Sequence, residues 1–171
     1  MSLKGIFRLK EEFDDLNANP ITNIGLSKII LPKKDSYFEW EFSIIGAKDT
    51  CYRGGTFFLR AIFPDNYPES APEICFITPI YHLNVNPKRS QYENLGHICL
   101  STLNWWKPEY TMREVITNLF ALFYMQNPEC PYGLDRADEF RNNRKLFENK
   151  AKYFTEKYAR LDSGWDFSYN K

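Results

Sequence analysis

The sequence predicts an α+β domain: an N-terminal helix, a four-stranded antiparallel meander, a long active loop and C-terminal helices. Three observations predict it. Apolar residues recur at helical spacing near the N-terminus and again after Thr111, they follow strand patterns between Leu26 and Ile77, and periodicity fails from Pro79 to Pro108. The chain has 171 residues, 43% of them hydrophobic and 17% aromatic, enough to bury one sizeable core but short for two ordinary domains. Residues 1–160 are expected to form that domain and 161–171 a tail.

Taken in order, Leu3, Ile6, Phe7, Phe13 and Leu16 form an apolar stripe between charged residues until Asn19-Pro20 ends the pattern, which predicts the first helix. Leu26 to Leu31 has strand character. Phe38, Trp40, Phe42 and Ile44 then alternate strictly, followed by Phe57 to Phe63 and Ile74 to Ile77, joined by short Gly, Asp and Pro turns. Those four runs are the expected meander. Between Pro79 and Pro108, His, Asn, Gly, Pro, Cys and Trp cluster without period, the mark of a functional loop. Helix returns at Thr111, where Thr111 and Glu114 fit a capping box and Val115, Ile116, Leu119, Phe120 and Phe123 build a stripe ending near Asn127-Pro128. Two closing helices are expected, one from near Asp135 and one carrying Leu146, Phe147, Ala151, Phe154 and Tyr158.

Composition narrows the function. Twenty-two basic against twenty-two acidic residues argue against a nucleic-acid binder that depends on counterion release. No apolar run approaches the roughly 18 residues of a membrane span, and the N-terminus lacks a signal-peptide core, so a cytoplasmic or nuclear protein is expected. Cys51, Cys75, Cys99 and Cys130 show no zinc-ligand spacing with His82 or His97, so no metal is expected. A reducing compartment disfavours disulfides. Each cysteine is then either a buried small hydrophobe or a nucleophile, and the first reading suits Cys51 and Cys75.

The loop holds Tyr81-His82-Leu83-Asn84-Val85 and, further on, Gly96-His97-Ile98-Cys99-Leu100. From Lys4 to about Tyr158 the chain resembles the ubiquitin-conjugating enzyme family, with several motifs in the family's order. Gly46 to Gly55 is similar to its Gly-Pro-x-x-Thr-Pro-Tyr-x-Gly-Gly turn, with Ala47 and Cys51 in place of the prolines. Phe63-Pro64, Tyr67-Pro68 and Pro72 follow. His82-Leu83-Asn84 stands for the His-Pro-Asn element, Ile98-Cys99-Leu100 for the cysteine motif, Trp106-Lys107-Pro108 for Trp-x-Pro and Asn127-Pro128 for Pro-Asn-Pro.

The resemblance implies that Cys99 carries a ubiquitin-like modifier as a thioester, taken from an activating enzyme and passed to a substrate lysine or a ligase cysteine. The chemistry suits the residues. A thiol near its ordinary pKa of about 8.5 supplies little thiolate at neutral pH without help, and a loop position leaves it reachable. Lysine attack on the thioester passes through an oxyanion that an uncharged amide can stabilise, a role the family gives to Asn84, which can also brace the loop. His82 resembles the structural histidine of its motif. His97 reads as a solvated loop residue that could also perturb Cys99, and Trp105 and Trp106 as packing anchors.

Departures from the family shape the remaining expectations. Asn86 to Leu95 form an insertion bearing Lys88, Arg89 and Glu93, either a selectivity element or a tolerated loop. The acidic residues usual two positions after the cysteine and after Pro-Asn-Pro align with Ser101, a gate position, and Cys130, with Glu129 adjacent. That weakens direct lysine transfer and favours a ligase cysteine as acceptor. Lys4, Arg8 and Lys10 are expected contacts for the activating enzyme. Tyr67, Pro68, Trp106, Lys107 and Pro108 are expected contacts for a RING-type or thioester-forming ligase, while Glu69 replaces a common aromatic contact. Ubiquitin is favoured over Nedd8, because the Nedd8-carrying branch has an extension ahead of its first helix. No bound cofactor is expected, ATP being used by the activating enzyme, and a monomer is the simplest state. A non-catalytic scaffold of the same fold and a thiol hydrolase using Cys99 with His82 or His97 remain as alternatives.

Overall fold

The computed structural model describes residues 3–34, 36–87 and 96–161. Helix α1 spans Leu3–Ala18, strands β1 to β4 span Glu39–Ile45, Thr56–Ile62, Glu73–Phe76 and Gly96–His97, and helices α2 to α5 span Ser101–Asn104, Met112–Ala121, Leu134–Asn142 and Arg144–Phe154. The strands form one antiparallel sheet in the order β1-β2-β3-β4. This is the expected α+β architecture. The tail from Asp162 and all of the insertion beyond Pro87 lie outside the described residues.

Alternation decides the sheet's two faces. Trp40, Phe42 and Ile44 on β1 and Phe57, Leu59 and Ala61 on β2 are buried. Phe123, just past α3, stacks against Phe57 at 5.3 Å between centroids, and Phe13 of α1 meets Trp40 edge-on at 5.7 Å. On the opposite face Glu41 pairs with Arg60 across the strands, and Arg60 reaches Glu39 at 3.1 Å and Glu41 at 2.7 Å. A nearly buried guanidinium there is tolerable because two carboxylates meet it.

The meander differs from expectation at both ends. Leu26 to Leu31 forms one bridge, Ile30 with Glu41, and not a strand. The reason is local: the Ser43 amide donates to the Ser27 hydroxyl at 2.8 Å, so a side chain takes the place of the carbonyl the ladder needs. Asn17 of α1 also grips Ile29 through its amide and carbonyl, at 2.8 and 3.2 Å. The fourth strand is instead Gly96–His97, inside the expected loop. Gly96 fits there because a Cβ would lie 2.9 Å from Val85 Cγ1.

The capping box at Thr111 and Glu114 forms as expected. Its helix ends earlier than expected, at Ala121, by tightening into i→i−3 bonds from Leu122 to Leu119, Phe123 to Phe120 and Tyr124 to Ala121. The carbonyl of Leu122 is thereby left for another partner. Glu12 ties this region to α1, accepting from the Tyr67 hydroxyl at 2.9 Å and the Met112 amide at 2.6 Å.

Candidate active site

Two segments meet behind β4. The first is His82 to Val85, buried throughout. His82 Nε2 sits 3.1 Å from the Leu122 carbonyl freed by the early helix end, and Nδ1 accepts from the Asn84 amide at 3.0 Å. Those partners require a neutral imidazole protonated on Nε2. Burial opposes its charging and pushes the pKa down to about 4. Both ring nitrogens are engaged in holding the chain, as a structural histidine's would be.

Asn84 is fully buried, and its side chain is a three-point clamp. Nδ2 donates to the carbonyls of Asn127 at 2.7 Å and Cys130 at 2.8 Å, and Oδ1 accepts from the Asn127 amide at 2.8 Å. Its backbone carbonyl accepts from the Cys99 amide at 2.8 Å. One residue therefore fixes the cysteine loop on one side and the segment from Asn127 to Cys130 on the other. Leu83, standing where the resembling motif has proline, is fully buried, and its N–H donates to Gln126 Oε1 at 3.1 Å, a bond proline cannot make.

Residues that sequence reading missed complete this frame. Arg136 on α4, nearly buried, donates to the carbonyls of His82 and Val85, both at 3.0 Å, with its guanidinium 4.3 Å from the Tyr81 ring centre. The Tyr132 amide donates to Leu83 O at 2.8 Å. Tyr52 donates to the Tyr81 carbonyl at 2.9 Å. In the sequence, Arg136 read as one of several charged residues on an amphipathic helix, with nothing to mark it as inward.

The second segment presents the cysteine. Cys99 precedes the short helix α2, whose first residue, Ser101, is exposed. Asn104 at its end donates from Nδ2 to the Cys99 sulfur at 3.2 Å, a contact that the sequence did not suggest. Exposed Trp105 follows, so of the two tryptophans only Trp106 is a packing anchor. Trp106 donates to the Pro68 carbonyl at 2.6 Å and lies 5.9 Å from the Tyr67 ring, which brings the two expected ligase-contact loops together. Tyr67 itself is buried, leaving Pro68, Lys107 and Pro108 nearer the surface. On α1, Lys4 and Lys10 are exposed, with Lys10 paired to Asp14 at 2.7 Å, while Arg8 is ion-paired to Glu12 and donates to the Tyr110 carbonyl at 3.2 Å.

Two expectations around the cysteine loop are corrected. Cys99 is joined to Cys130 in a disulfide, with Cα atoms 6.4 Å apart. Compartment reasoning disfavoured any disulfide and could not see that the Asn84 clamp sets Cys130 beside Cys99. His97 is also not a free loop residue: it lies on β4 opposite Cys75, with Nδ1 3.2 Å from Glu73 Oε1 and 3.7 Å from Cys75 Sγ. Glu73, Cys75 and His97 thus gather three donor atoms within 4.8 Å, although no linear spacing announced them. Cys75 is buried as expected, and Cys51 is half-buried, its thiol pKa raised by burial.

A conformationally clamped asparagine, a neutral structural histidine and a loop cysteine on an α+β frame define a cysteine-centred protein of the ubiquitin-conjugating fold. The comparisons agree. The family model for ubiquitin-conjugating enzymes matches residues 8–155. A Plasmodium yoelii protein assigned as a ubiquitin-conjugating enzyme is 30% identical, with a TM-score of 0.78, over 94% of this chain and 98% of its own. The E2 domain of a Toxoplasma gondii ubiquitin-conjugating enzyme is 29% identical, with a TM-score of 0.77, over 91% of this chain and 99% of its own. The chain belongs to the ubiquitin-conjugating enzyme family. Among the described residues no helix is long and apolar enough to cross a membrane.

Proposed function

We propose that this chain is a ubiquitin carrier whose reduced Cys99 accepts ubiquitin from an activating enzyme and passes it on. The observation that carries the reading is the seating of Cys99: its amide is bonded to Asn84 and its sulfur to the Asn104 amide, at the mouth of an exposed helix. The Cys99 thiolate attacks the thioester carbonyl on the activating enzyme, the tetrahedral oxyanion collapses, and the donor leaves as its own thiolate. ATP is consumed upstream.

Asn84 acts first as a positioning residue, because both N–H bonds of its amide are already given to carbonyls. Stabilising an oxyanion at the lysine-transfer step would require one of them to be released. Ser101 and Cys130 at the expected acidic positions leave Glu129, which is exposed, as the nearby carboxylate. Transfer to a ligase cysteine needs no lysine deprotonation and fits this site better than unaided lysine transfer. Pro68, Trp106, Lys107 and Pro108 form the surface offered to that ligase, and Lys4 and Lys10 are the cations offered to the activating enzyme. Nedd8 is the second modifier to test, since Lys107-Pro108 resembles that branch too.

The experiment is loading of the chain, reduced and desalted, with an activating enzyme, ATP and either ubiquitin or Nedd8, followed by a chase with free lysine or free cysteine. A reducible adduct with ubiquitin, absent in Cys99→Ala and discharged faster by cysteine, is expected. No adduct with either modifier would overturn the reading in favour of a scaffold, and free modifier released without an adduct would favour a hydrolase.

A further inference from the structure

We propose that Cys130 is the resolving thiol of Cys99: an oxidant closes the Cys99–Cys130 bond and stops loading, and a dithiol reopens it. The proposal rests on the carrier reading above. The two residues are 31 positions apart and come from different loops, yet their Cα atoms lie 6.4 Å apart, inside the span of about 4.4–6.8 Å that a disulfide bridges. Cys51 and Cys75 are not part of this disulfide.

The approach is built into the frame. Asn84 donates from its side chain to the Cys130 carbonyl at 2.8 Å and accepts from the Cys99 amide on its own carbonyl at 2.8 Å, so a single buried residue holds the backbone of both cysteines. The Cys130 amide lies 3.4 Å from the Asn127 carbonyl, and the Tyr132 amide is bonded to Leu83, so the segment is pinned on both sides of Cys130. None of these bonds involves sulfur. They persist when the disulfide is reduced, and the two thiols are then separated by side-chain rotation alone. The Asn104 amide donates to Cys99 Sγ at 3.2 Å, so the donor is in place for negative charge that develops on this sulfur as it reacts, and Cys99 is the first of the two to attack.

With a hydroperoxide, the Cys99 thiolate attacks the O–O bond, giving a sulfenic acid and releasing the alcohol, or water from hydrogen peroxide. The Cys130 thiolate then attacks that sulfur and expels hydroxide, which is protonated to water. Two thiols and one hydroperoxide become one disulfide, one alcohol and one water. With a small-molecule disulfide, Cys99 displaces one thiolate and Cys130 displaces the second, giving two free thiols. A disulfide sulfur cannot accept an acyl group, so loading stops. Closure also protects Cys99 from oxidation to sulfinic acid, which a dithiol does not reverse.

The test uses the whole chain, reduced and desalted, then treated with hydrogen peroxide or glutathione disulfide. Remaining thiols are alkylated, the peptides are mapped by mass spectrometry, and loading is measured before and after dithiothreitol. We expect a linked Cys99–Cys130 peptide, a loss of loading of at least about tenfold, and its return on reduction. In Cys130→Ser and Cys130→Ala, peroxide should leave sulfinic Cys99 whose loading dithiothreitol does not restore, and glutathione should remain attached to Cys99. Cys51→Ser should respond as wild type. Oxidation of wild-type Cys99 without the linked peptide, or equal recovery in wild type and the Cys130 variants, would overturn the proposal. The peptide map needs no loading, whereas failure of the untreated reduced chain to load would tell against the carrier reading instead.

Discussion

The His82–Val85 segment and the Cys99–Trp105 segment lie against each other and are built on opposite terms. In the first, the residues are buried and their side-chain polar atoms have partners: His82 on both nitrogens, Asn84 on three bonds, with the carbonyls of His82 and Val85 met by Arg136. In the second, Cys99 and Leu100 are buried and the chain opens to solvent just after them, with Ser101, Asn104 and Trp105 exposed on and beside a four-residue helix. Rigidity and access are thus divided between neighbours. The fully buried segment sets position, and the one that opens to solvent just past the cysteine presents chemistry.

That division is broken most severely at Asn84. Asn84→Ala removes three bonds and leaves two part-buried carbonyls and an amide without the side chain that meets them, so a loss of about 3 kcal/mol is expected, read as a Tm drop of roughly 5–10 °C by calorimetry. A Tm within a degree of wild type would show that the clamp is dispensable. The next effect is on pH. His82 has a folded pKa near 4, below its ordinary value of 6.5, so the unfolded chain binds the extra proton first. Stability is full above pH 6.5 and falls as pH drops toward 4, by about 3 kcal/mol from this residue. Urea melts across that range on wild type and His82→Gln should show a shallower slope in the variant.

On the exposed side the effects should be kinetic. Asn104→Ala should slow alkylation of reduced Cys99 by roughly threefold to tenfold while Tm is unchanged, because it removes a donor to the sulfur and nothing buried. Equal alkylation rates would remove Asn104 from the site. The smallest effect is expected at Lys10, whose exposed pair with Asp14 should leave Tm unaltered in Lys10→Ala. Slower loading in that variant would mark a contact with the activating enzyme.

Much of this was legible in the sequence where a short pattern carries the cause. Trp40, Phe42 and Ile44 alternate, Thr111 and Glu114 cap a helix, and the order of the motifs around His82, Asn84 and Cys99 led to the family. What escaped notice depends on chain segments meeting. Gly96–His97 is too short to show a strand period and exists because β3 pairs with it. Leu26 to Leu31 has strand composition but loses its ladder to the Ser27 hydroxyl. Arg136 and Gln126 are drawn inward by carbonyls and an amide that no local pattern displays. Cys130 could be aligned with a missing acid, but its closeness to Cys99 follows from the Asn84 clamp.

The Ser27 hydroxyl has a further effect at the rim of the sheet. Beyond β1 the chain offers Ile30 in a bridge with Glu41 and, at Ser43, a side-chain oxygen in place of a regular ladder carbonyl. A foreign strand laid along this border meets occupied or displaced bonding groups where fibril growth would need a continuous row of open ones. The same interruption that shortens the meander therefore protects the molecule from templating its own aggregation along that side.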